Sequence, residues 1–179
     1  TTLQFTNPEY PRAARDRNAG EMTVAAQNLF RLFEGASDAR LAAFSAYVRE
    51  ILGAPDIVAV SEVDTLAVLQ DLAAAINFDE PGLNYTAWLQ EGNDIGGIDV
   101  GFLVRNTVRV DSITQLGADD RWLDPQTNTL DLLNDRPPLL LHGDYIGNGA
   151  PFPIAVIAVH QRSLIGINTS RVQQKRLAQ

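Results

Sequence analysis

The stretch that decides the fold is Pro-Asp-Ile-Val-Ala-Val-Ser-Glu-Val-Asp-Thr, at residues 55–65. Its centre, residues 57–60, is an unbroken run of four apolar side chains between a proline-aspartate turn and two polar residues. Such a run is typical of a strand covered on both faces, as in a mixed or largely parallel α/β sheet. The strand delivers Glu62 at its carboxyl end, where open α/β sheets place their ligands. Glu62 is therefore a candidate functional carboxylate, although a strand end that simply meets solvent would also carry such a residue.

Three further strand boundaries carry polar side chains. Residues 154–159 form a second apolar run, which His160 follows directly. Asn28 directly follows a predicted strand over residues 21–27. Arg136 stands just before a fourth predicted strand. We expect these groups to meet at the rim of one sheet. The set suits phosphoester hydrolysis, because a carboxylate binds a hard ion, a guanidinium clamps phosphate and an imidazole donates to a phosphate oxygen.

Helical segments separate the first strands. Ser37 is predicted to cap a helix that closes at Gly53, and Asp64 or Thr65 is predicted to cap a second helix over residues 66–76. The resulting order, β-α-β-α, points to a layered α/β domain.

The rest of the chain is richer in β signals. Residues 85–89, 98–105 and 108–116 are predicted strands, and the short turn at 106–107 predicts that the last two pair antiparallel. Residues 117–135 contain five aspartates. We interpret this segment as a solvated loop rather than a calcium loop, because it lacks the glycine and terminal glutamate of an EF-hand.

The remaining segments complete the predicted organisation. Residues 143–149 are interpreted as a hairpin-like connection, and without a Lys-Ser/Thr pair they are not a phosphate-binding P-loop. Residues 163–179 are predicted to form a loop and then a helix. Residues 1–20 are interpreted as an extended leader, so the domain occupies residues 21–179.

Composition excludes several classes of protein. The chain has 179 residues, the length of one ordinary domain or of most of a larger one. It has no cysteine, which excludes disulfides and thiolate metal sites. No stretch of 18 apolar residues predicts a membrane span. A net charge of −8 argues against passive binding of nucleic acid through a basic patch. It does not exclude a metal enzyme acting on phosphates, because a bound divalent ion reverses the local sign of charge.

Five segments together resemble the endonuclease/exonuclease/phosphatase superfamily, whose fold is DNase I-like. They are Val-Ala-Ala-Gln-Asn-Leu-Phe at 24–30, Pro-Asp-Ile-Val-Ala-Val-Ser-Glu-Val at 55–63, Gly-Ile-Asp-Val-Gly-Phe-Leu-Val-Arg at 97–105, Arg-Pro-Pro-Leu at 136–139 and Ile-Ala-Val-His at 157–160. They occur in the family's order and cover the chain from about Val24 onward. The resemblance implies a layered α/β sandwich with mixed sheets and flanking helices.

The resemblance also implies a site and a location. Glu62 would be a metal ligand and Asn28 a second metal-site residue, with Mg²⁺ as the ion and Ca²⁺ or Mn²⁺ as alternatives. His160 would contact the scissile phosphate, and Arg136 would be a supporting or phosphate-facing residue. Asp99 follows a recurring Gly-Ile-Asp pattern without an assigned role. The leader motif at residues 7–12 and the Arg-Pro-Pro segment are similar to large secreted bacterial nucleases, which implies a secreted or periplasmic protein.

Two family motifs do not occur in this chain. The family's second half supplies Gly-Asp-x-Asn and Ser-Asp-His, but here Gly143-Asp144 is followed by Tyr-Ile, and the only histidines are His142 and His160. We therefore expect an N-terminal part of a longer enzyme, with the C-terminal half of the fold absent. Such a piece should be inactive alone and should expose an apolar sheet face that permits self-association.

Three functions remain open on this basis. The first is a fragment of a divalent-metal-dependent phosphodiesterase, a nuclease that hydrolyses DNA or RNA. The second is a lipid or inositol phosphoesterase of the same superfamily. The third is a non-catalytic binding module that keeps the fold.

Overall fold

The structure is a computed structural model that describes residues 18, 20–147, 149–161, 166 and 168–179. Its elements follow in this order: β1 Val24–Leu32, α1 Asp38–Ala46, a π-helical segment Tyr47–Ile51, β2 Ile57–Val63, α2 Leu66–Asp79, β3 Tyr85–Leu89, β4 Asp99–Arg105, β5 Val108–Gln115, β6 Arg121–Leu123, β7 Leu130–Leu132, β8 Leu139–Tyr145, β9 Phe152–Ala158 and α3 Ser170–Ala178. The predicted leader lies outside the described residues except for Asn18 and Gly20, and so does most of the predicted loop before α3.

The strands form two larger sheets and one hairpin. The first sheet has the order β1-β2-β4-β3, and the second has the order β5-β8-β9. In the first sheet, β1 and β2 are parallel while the other neighbours are antiparallel, so the sheet is mixed. The prediction of a mixed α/β fold with flanking helices is confirmed.

Alternation along the strands of the first sheet divides the core into two layers. On one face, Val58, Val60 and Leu103 pack against α1 and α2. On the other face, Ile57 and Phe102 pack against the second sheet. The layers are therefore helices, sheet and sheet, and the unbroken apolar run of β2 is explained because both faces of that strand are covered.

The predicted helix starts are confirmed at the level of individual caps. The Ser37 hydroxyl accepts from the Arg40 backbone N–H at 3.4 Å, and the Thr65 hydroxyl accepts from the Val68 N–H at 3.3 Å. The first helix differs from prediction in its last turn, because a π-helical segment follows α1 before the chain leaves at Gly53, where φ is +73°.

The predicted antiparallel pair of residues 98–105 and 108–116 is wrong. The two strands exist, but β4 pairs with β2 and β3, whereas β5 crosses to the second sheet and pairs with β8. Asp56 anchors this crossover, since its buried carboxylate accepts from the Thr107 hydroxyl at 2.5 Å and from the Thr23 N–H at 2.8 Å. A residue interpreted as part of a turn is thus a buried link between strands.

The segment interpreted as a solvated loop contains the β6–β7 hairpin, on which α3 docks. The contact is made by a group of charged residues, called the helix-docking cluster: Asp124, Asp131, Asp135, Arg171 and Lys175. Three of the five aspartates in residues 117–135 are therefore paired with cations of α3. The interpretation of the whole segment as a solvated loop is wrong, because these ion pairs order it.

The hairpin-like connection is shorter than predicted, since β8 runs through Tyr145 before the chain turns into β9. Apolar side chains on or next to β1 and β9 are exposed: Val24, Phe152, Ile157 and Val159. Self-association through such a face stays a prediction. In the part of the chain that the structure describes, no helix has the length and apolar character to cross a membrane.

Candidate active site

Two neighbouring irregularities form the base of the site. The pairing of β1 with β2 shifts register after Asn28, and the pairing of β2 with β4 shifts register between Ser61 and Val63. Glu62, the residue in the second shift, has φ of +59°, a left-handed conformation that is unfavourable for a residue with a Cβ. A β-bulge redirects a side chain out of the alternation of its strand. Glu62 is therefore held in an unfavourable conformation inside β2, rather than following its end as expected.

Asn28 fixes the position of the Glu62 carboxylate. The Asn28 amide donates from Nδ2 to Glu62 Oε1 at 2.9 Å, and its Oδ1 accepts from the Phe30 N–H at 2.7 Å. In this arrangement the amide oxygen of Asn28 is engaged by backbone. Asn28 thus orients Glu62 and stabilises the irregular end of β1.

The structure brings His160 to Glu62, but from a different sheet. His160 Nε2 lies 3.7 Å from Glu62 Oε1, so the two groups are neighbours without a hydrogen bond. The expectation that all groups meet at the rim of one sheet is wrong, because β9 belongs to the second sheet and is at its edge among the described strands. The site lies where the two packed sheets meet.

Arg136 completes the group next to His160. Its Nη1 atom lies 3.2 Å from His160 Nδ1 and 3.4 Å from Nε2. A guanidinium only donates, so a hydrogen bond between the two groups needs a ring nitrogen of His160 that carries no proton. Burial and the positive charge of Arg136 lower the pKa of His160 below its ordinary value, against smaller opposing effects of Glu62 and Asp94.

Asp94 is a site residue that the sequence analysis missed. Its carboxylate Oδ2 lies 3.4 Å from Arg136 Nε. That nitrogen is buried and forms no hydrogen bond, so the ion pair is close in distance but poorly aligned. Asp94 follows Gly92-Asn93 in a segment that has the composition of a turn, and such a segment gives no signal of a functional carboxylate. The five residues that converge are called the strand-end cluster: Asn28, Glu62, Asp94, Arg136 and His160.

Asp99 lies beneath the loop that carries Asp94. It is buried, and its Oδ1 accepts from the Gly92 N–H at 2.9 Å. Burial is the largest influence on this carboxyl, and it raises the pKa of Asp99 to about 6 although the Gly92 hydrogen bond opposes it. The residue that had no assigned role therefore holds the loop in place at an electrostatic cost.

The residues present are compatible with one hard divalent ion. Magnesium is bound by one or two carboxylates together with waters and substrate phosphate oxygens. Glu62 supplies one partly exposed carboxylate of this kind. Within the described residues, however, no group of three or more His, Cys, Asp or Glu side chains could enclose an ion. A metal here would be held by one carboxylate and would keep most of its other positions for water and substrate.

Comparisons with known proteins were made for sequence and structure. No protein-family model and no curated protein matches the sequence. The chain is similar to the structure of an endonuclease/exonuclease/phosphatase family protein from Bacteroides thetaiotaomicron, with 19% identity and a TM-score of 0.43 over 76% of this chain and 49% of that chain. It is also similar to a mannosyl-6-phosphatase from Bacteroides thetaiotaomicron, with 21% identity and a TM-score of 0.43 over 76% of this chain and 51% of that chain.

The match therefore spans about half the length of each of these neighbours. The first neighbour carries the name of the superfamily that the five sequence segments resemble. At this identity and TM-score, the arguments for function come from the residues of the strand-end cluster.

Proposed function

We propose that the chain carries the metal-binding and phosphate-binding side of a divalent-metal-dependent phosphodiesterase that acts on nucleic acid. The observation that supports this most is the position of the Glu62 carboxylate, which a left-handed bulge of the first sheet holds next to His160 from the second sheet. His160 in turn contacts Arg136. Strained backbone that surrounding contacts over-determine is concentrated at functional sites. Here the contacts are the hydrogen bonds of Asn28, which join the Glu62 carboxylate to the Phe30 backbone.

Each residue has a distinct role in the proposed reaction. Glu62 would hold the ion, and Asn28 would keep the carboxylate pointed at it. The bound ion would supply charge stabilisation at the phosphoryl group and a more acidic water. His160, neutral near pH 7, would donate a hydrogen bond from one ring nitrogen to a phosphate oxygen, and Arg136 would place its positive charge beside the same oxygen.

The Arg136 contacts support the phosphate part of this proposal. A buried donor without an acceptor costs about 1–3 kcal/mol. A phosphate oxygen that enters beside His160 would accept from Arg136 and remove this penalty. Asp94 would act through Arg136, as a positioning residue that holds the guanidinium against His160.

The metal part can be tested on this chain with Mn²⁺, whose paramagnetism broadens amide signals near a weak site. We expect broadening centred on Glu62, and an affinity at least about tenfold lower in Glu62→Gln. Glu80→Gln, at an exposed position after α2, is the matched control and should bind as the parent does. Broadening that is unchanged in Glu62→Gln, or that is centred elsewhere, would contradict the proposal.

The substrate part needs hydrolysis by the protein of which this sequence is all or a part. We expect nicking of supercoiled plasmid DNA that depends on Mg²⁺ and is lost in Glu62→Ala. Hydrolysis of a phospholipid or inositol phosphate, with the plasmid left intact under the same conditions, would contradict the nuclease assignment and leave the metal site standing.

A further inference from the structure

A cavity lies near the strand-end cluster, at the irregular end of β1. It has a volume of about 520 Å³, which is within the range of small-molecule sites. It is called the aromatic pocket, and the side chains that give it its character are Phe30, Phe33, Phe44, Tyr47, Arg31 and Arg40. Four aromatic rings and two guanidinium groups thus line one cavity, and no acidic side chain lines it among the residues that the structure describes.

Within the described part of the chain, no carboxylate pairs with the cations of this pocket. Arg31 lies over the Phe33 ring at 5.3 Å, and Arg40 lies over the Phe44 ring at 5.8 Å. Among the described residues, no ion pair involves either arginine. Arg40 donates to backbone carbonyls rather than to a carboxylate, so in a chain with a net charge of −8 both guanidinium groups keep a positive charge that favours a ligand with negative charge near the pocket.

The backbone under the pocket is strained in a way that exposes an aromatic ring. Phe30 and Arg31 have φ of +51° and +60°, so two consecutive residues with a Cβ are left-handed. The turn is held by Asn28, which accepts from the Phe30 N–H, and by Arg40, which donates to the carbonyls of Leu29 and Phe30. The result is a Phe30 ring that is 79% exposed. An exposed ring on strained backbone is expected where a ligand uses it.

The same residues connect the pocket to the strand-end cluster. Asn28 bonds Glu62 with its amide nitrogen and the Phe30 backbone with its amide oxygen. A ligand with a phosphate beside Glu62 is therefore separated from the pocket only by the irregular segment of β1 that Asn28 holds. Flat π-systems stack on aromatic and guanidinium planes, and this is how proteins bind the bases of single-stranded nucleic acid.

We propose that the aromatic pocket binds a nucleobase of the substrate, next to the phosphate that the strand-end cluster handles. The proposal rests on the proposed function for the position of the phosphate. It adds the substrate class: a nucleotide unit whose base is unstacked from its neighbours and lies against Phe30, with the guanidinium groups of Arg31 and Arg40 beside the base.

The test compares two probes that share a phosphate, adenosine 5′-monophosphate and ribose 5-phosphate, each titrated into the chain with Mg²⁺ and followed by amide chemical shifts. We expect adenosine 5′-monophosphate to bind about tenfold more tightly, the preference that one stacked base provides. Phe30→Ala should remove the preference and leave ribose 5-phosphate binding unchanged, whereas Phe30→Trp should keep it. The control Phe78→Ala removes another exposed ring, on α2, and should change nothing.

Failure of this proposal can be told apart from failure of the proposed function. Equal affinities for the two probes, or a preference that survives in Phe30→Ala, would overturn the base-binding proposal. Concentration-dependent dimerisation that protects Phe30, without a preference for the base, would overturn it in favour of a protein partner at β1. Glu62→Gln should weaken both probes equally and keep their ratio. If Glu62→Gln leaves both affinities unchanged while the ratio persists, the proposed metal site fails and the base pocket stands.

Discussion

The strand-end cluster and the helix-docking cluster both contain aspartate and arginine, and they pair these residues differently. In the helix-docking cluster, Arg171 Nε lies 2.5 Å from Asp124 Oδ2, and Lys175 Nζ lies 2.8 Å from Asp135 Oδ1. In the strand-end cluster, Arg136 Nε is 3.4 Å from its carboxylate and forms no hydrogen bond. Direct, aligned pairs hold elements together, whereas loosely paired groups keep donors and acceptors for a ligand.

The pKa values of aspartates in the two regions are shifted in opposite directions. A hydrogen bond from Arg171 is the largest of several influences that lower the pKa of Asp124. Burial raises the pKa of Asp99, under the loop of the strand-end cluster, to about 6. One region therefore gains stability from its charges, and the other accepts an electrostatic penalty to hold a functional arrangement, as active sites commonly do.

Replacing one cation of each cluster by methionine should show the largest difference. Methionine keeps an apolar stem and removes the charge. Lys175 is only 2% exposed, and Lys175→Met leaves Asp135 without this partner, so we expect the free energy of unfolding to fall by about 2 kcal/mol. Arg136→Met should lower it by less than about 1 kcal/mol, because the buried Nε gains no hydrogen bond in the folded state. Urea unfolding measures both.

Equal losses in the two variants would remove the distinction between the clusters. A loss of about 2 kcal/mol in Arg136→Met alone would mean that the strand-end cluster is chiefly structural.

The backbone at Glu62 gives a second, smaller test. Glu62→Ala and Glu62→Gly both remove the carboxylate and differ only in the Cβ. Because φ is +59°, we expect the glycine variant to be more stable by about 1 kcal/mol. Ser61, the preceding residue, has no positive φ and provides the control: there Ser61→Gly should be less stable than Ser61→Ala. Thermal unfolding of the four variants measures both differences, and the same order at both positions would contradict a strained bulge.

The Asp99 carboxyl should give an effect that depends on pH. Its pKa is about 6 in the folded state and has an ordinary value of 3.8, so between these values the folded state holds more protons. Stability contributed by this group therefore falls as pH rises from about 4 to about 6. Asp99→Asn keeps an acceptor for the Gly92 N–H and removes the charge. We expect it to raise stability at pH 7, with no gain near pH 4.

The control for pH is Asp124→Asn, for which the sign is opposite. Because the folded-state pKa of Asp124 is lowered, its contribution is present above the ordinary pKa and is lost as pH falls. Asp124→Asn should destabilise the protein at pH 7, and the loss should shrink in acid. Stability curves of the two variants that run in parallel with pH would contradict the contrast between the regions.

Local patterns were sufficient to predict the elements that are continuous in sequence. The apolar run before Glu62 is a strand, the hydroxyls of Ser37 and Thr65 cap helices as predicted, and α3 lies in the segment where a helix was expected. These predictions rest on interactions within a few residues, such as caps and hydrophobic periodicity. Strand ends also identified Asn28, Glu62, Arg136 and His160, which the structure brings together.

Local patterns did not predict which strands pair, or which charged side chains meet, when the partners are far apart in the chain. The short turn after β4 is typical of a hairpin, yet β5 joins the other sheet, because packing of the two apolar faces outweighs the local turn signal. The aspartates of residues 117–135 have the composition of a solvated loop, and only the docking of α3 gives them cationic partners.

By itself, the sequence determined where most of the strands and helices form and which polar residues stand near their ends, since these follow from local propensity and periodicity. Only the tertiary structure decided that His160 reaches Glu62 from a second sheet, that Asp94 stands behind Arg136, and that the bulge at the end of β1 opens an aromatic pocket. The physical reason is that these arrangements depend on how sheets pack and where register shifts, and such contacts join residues far apart in the chain.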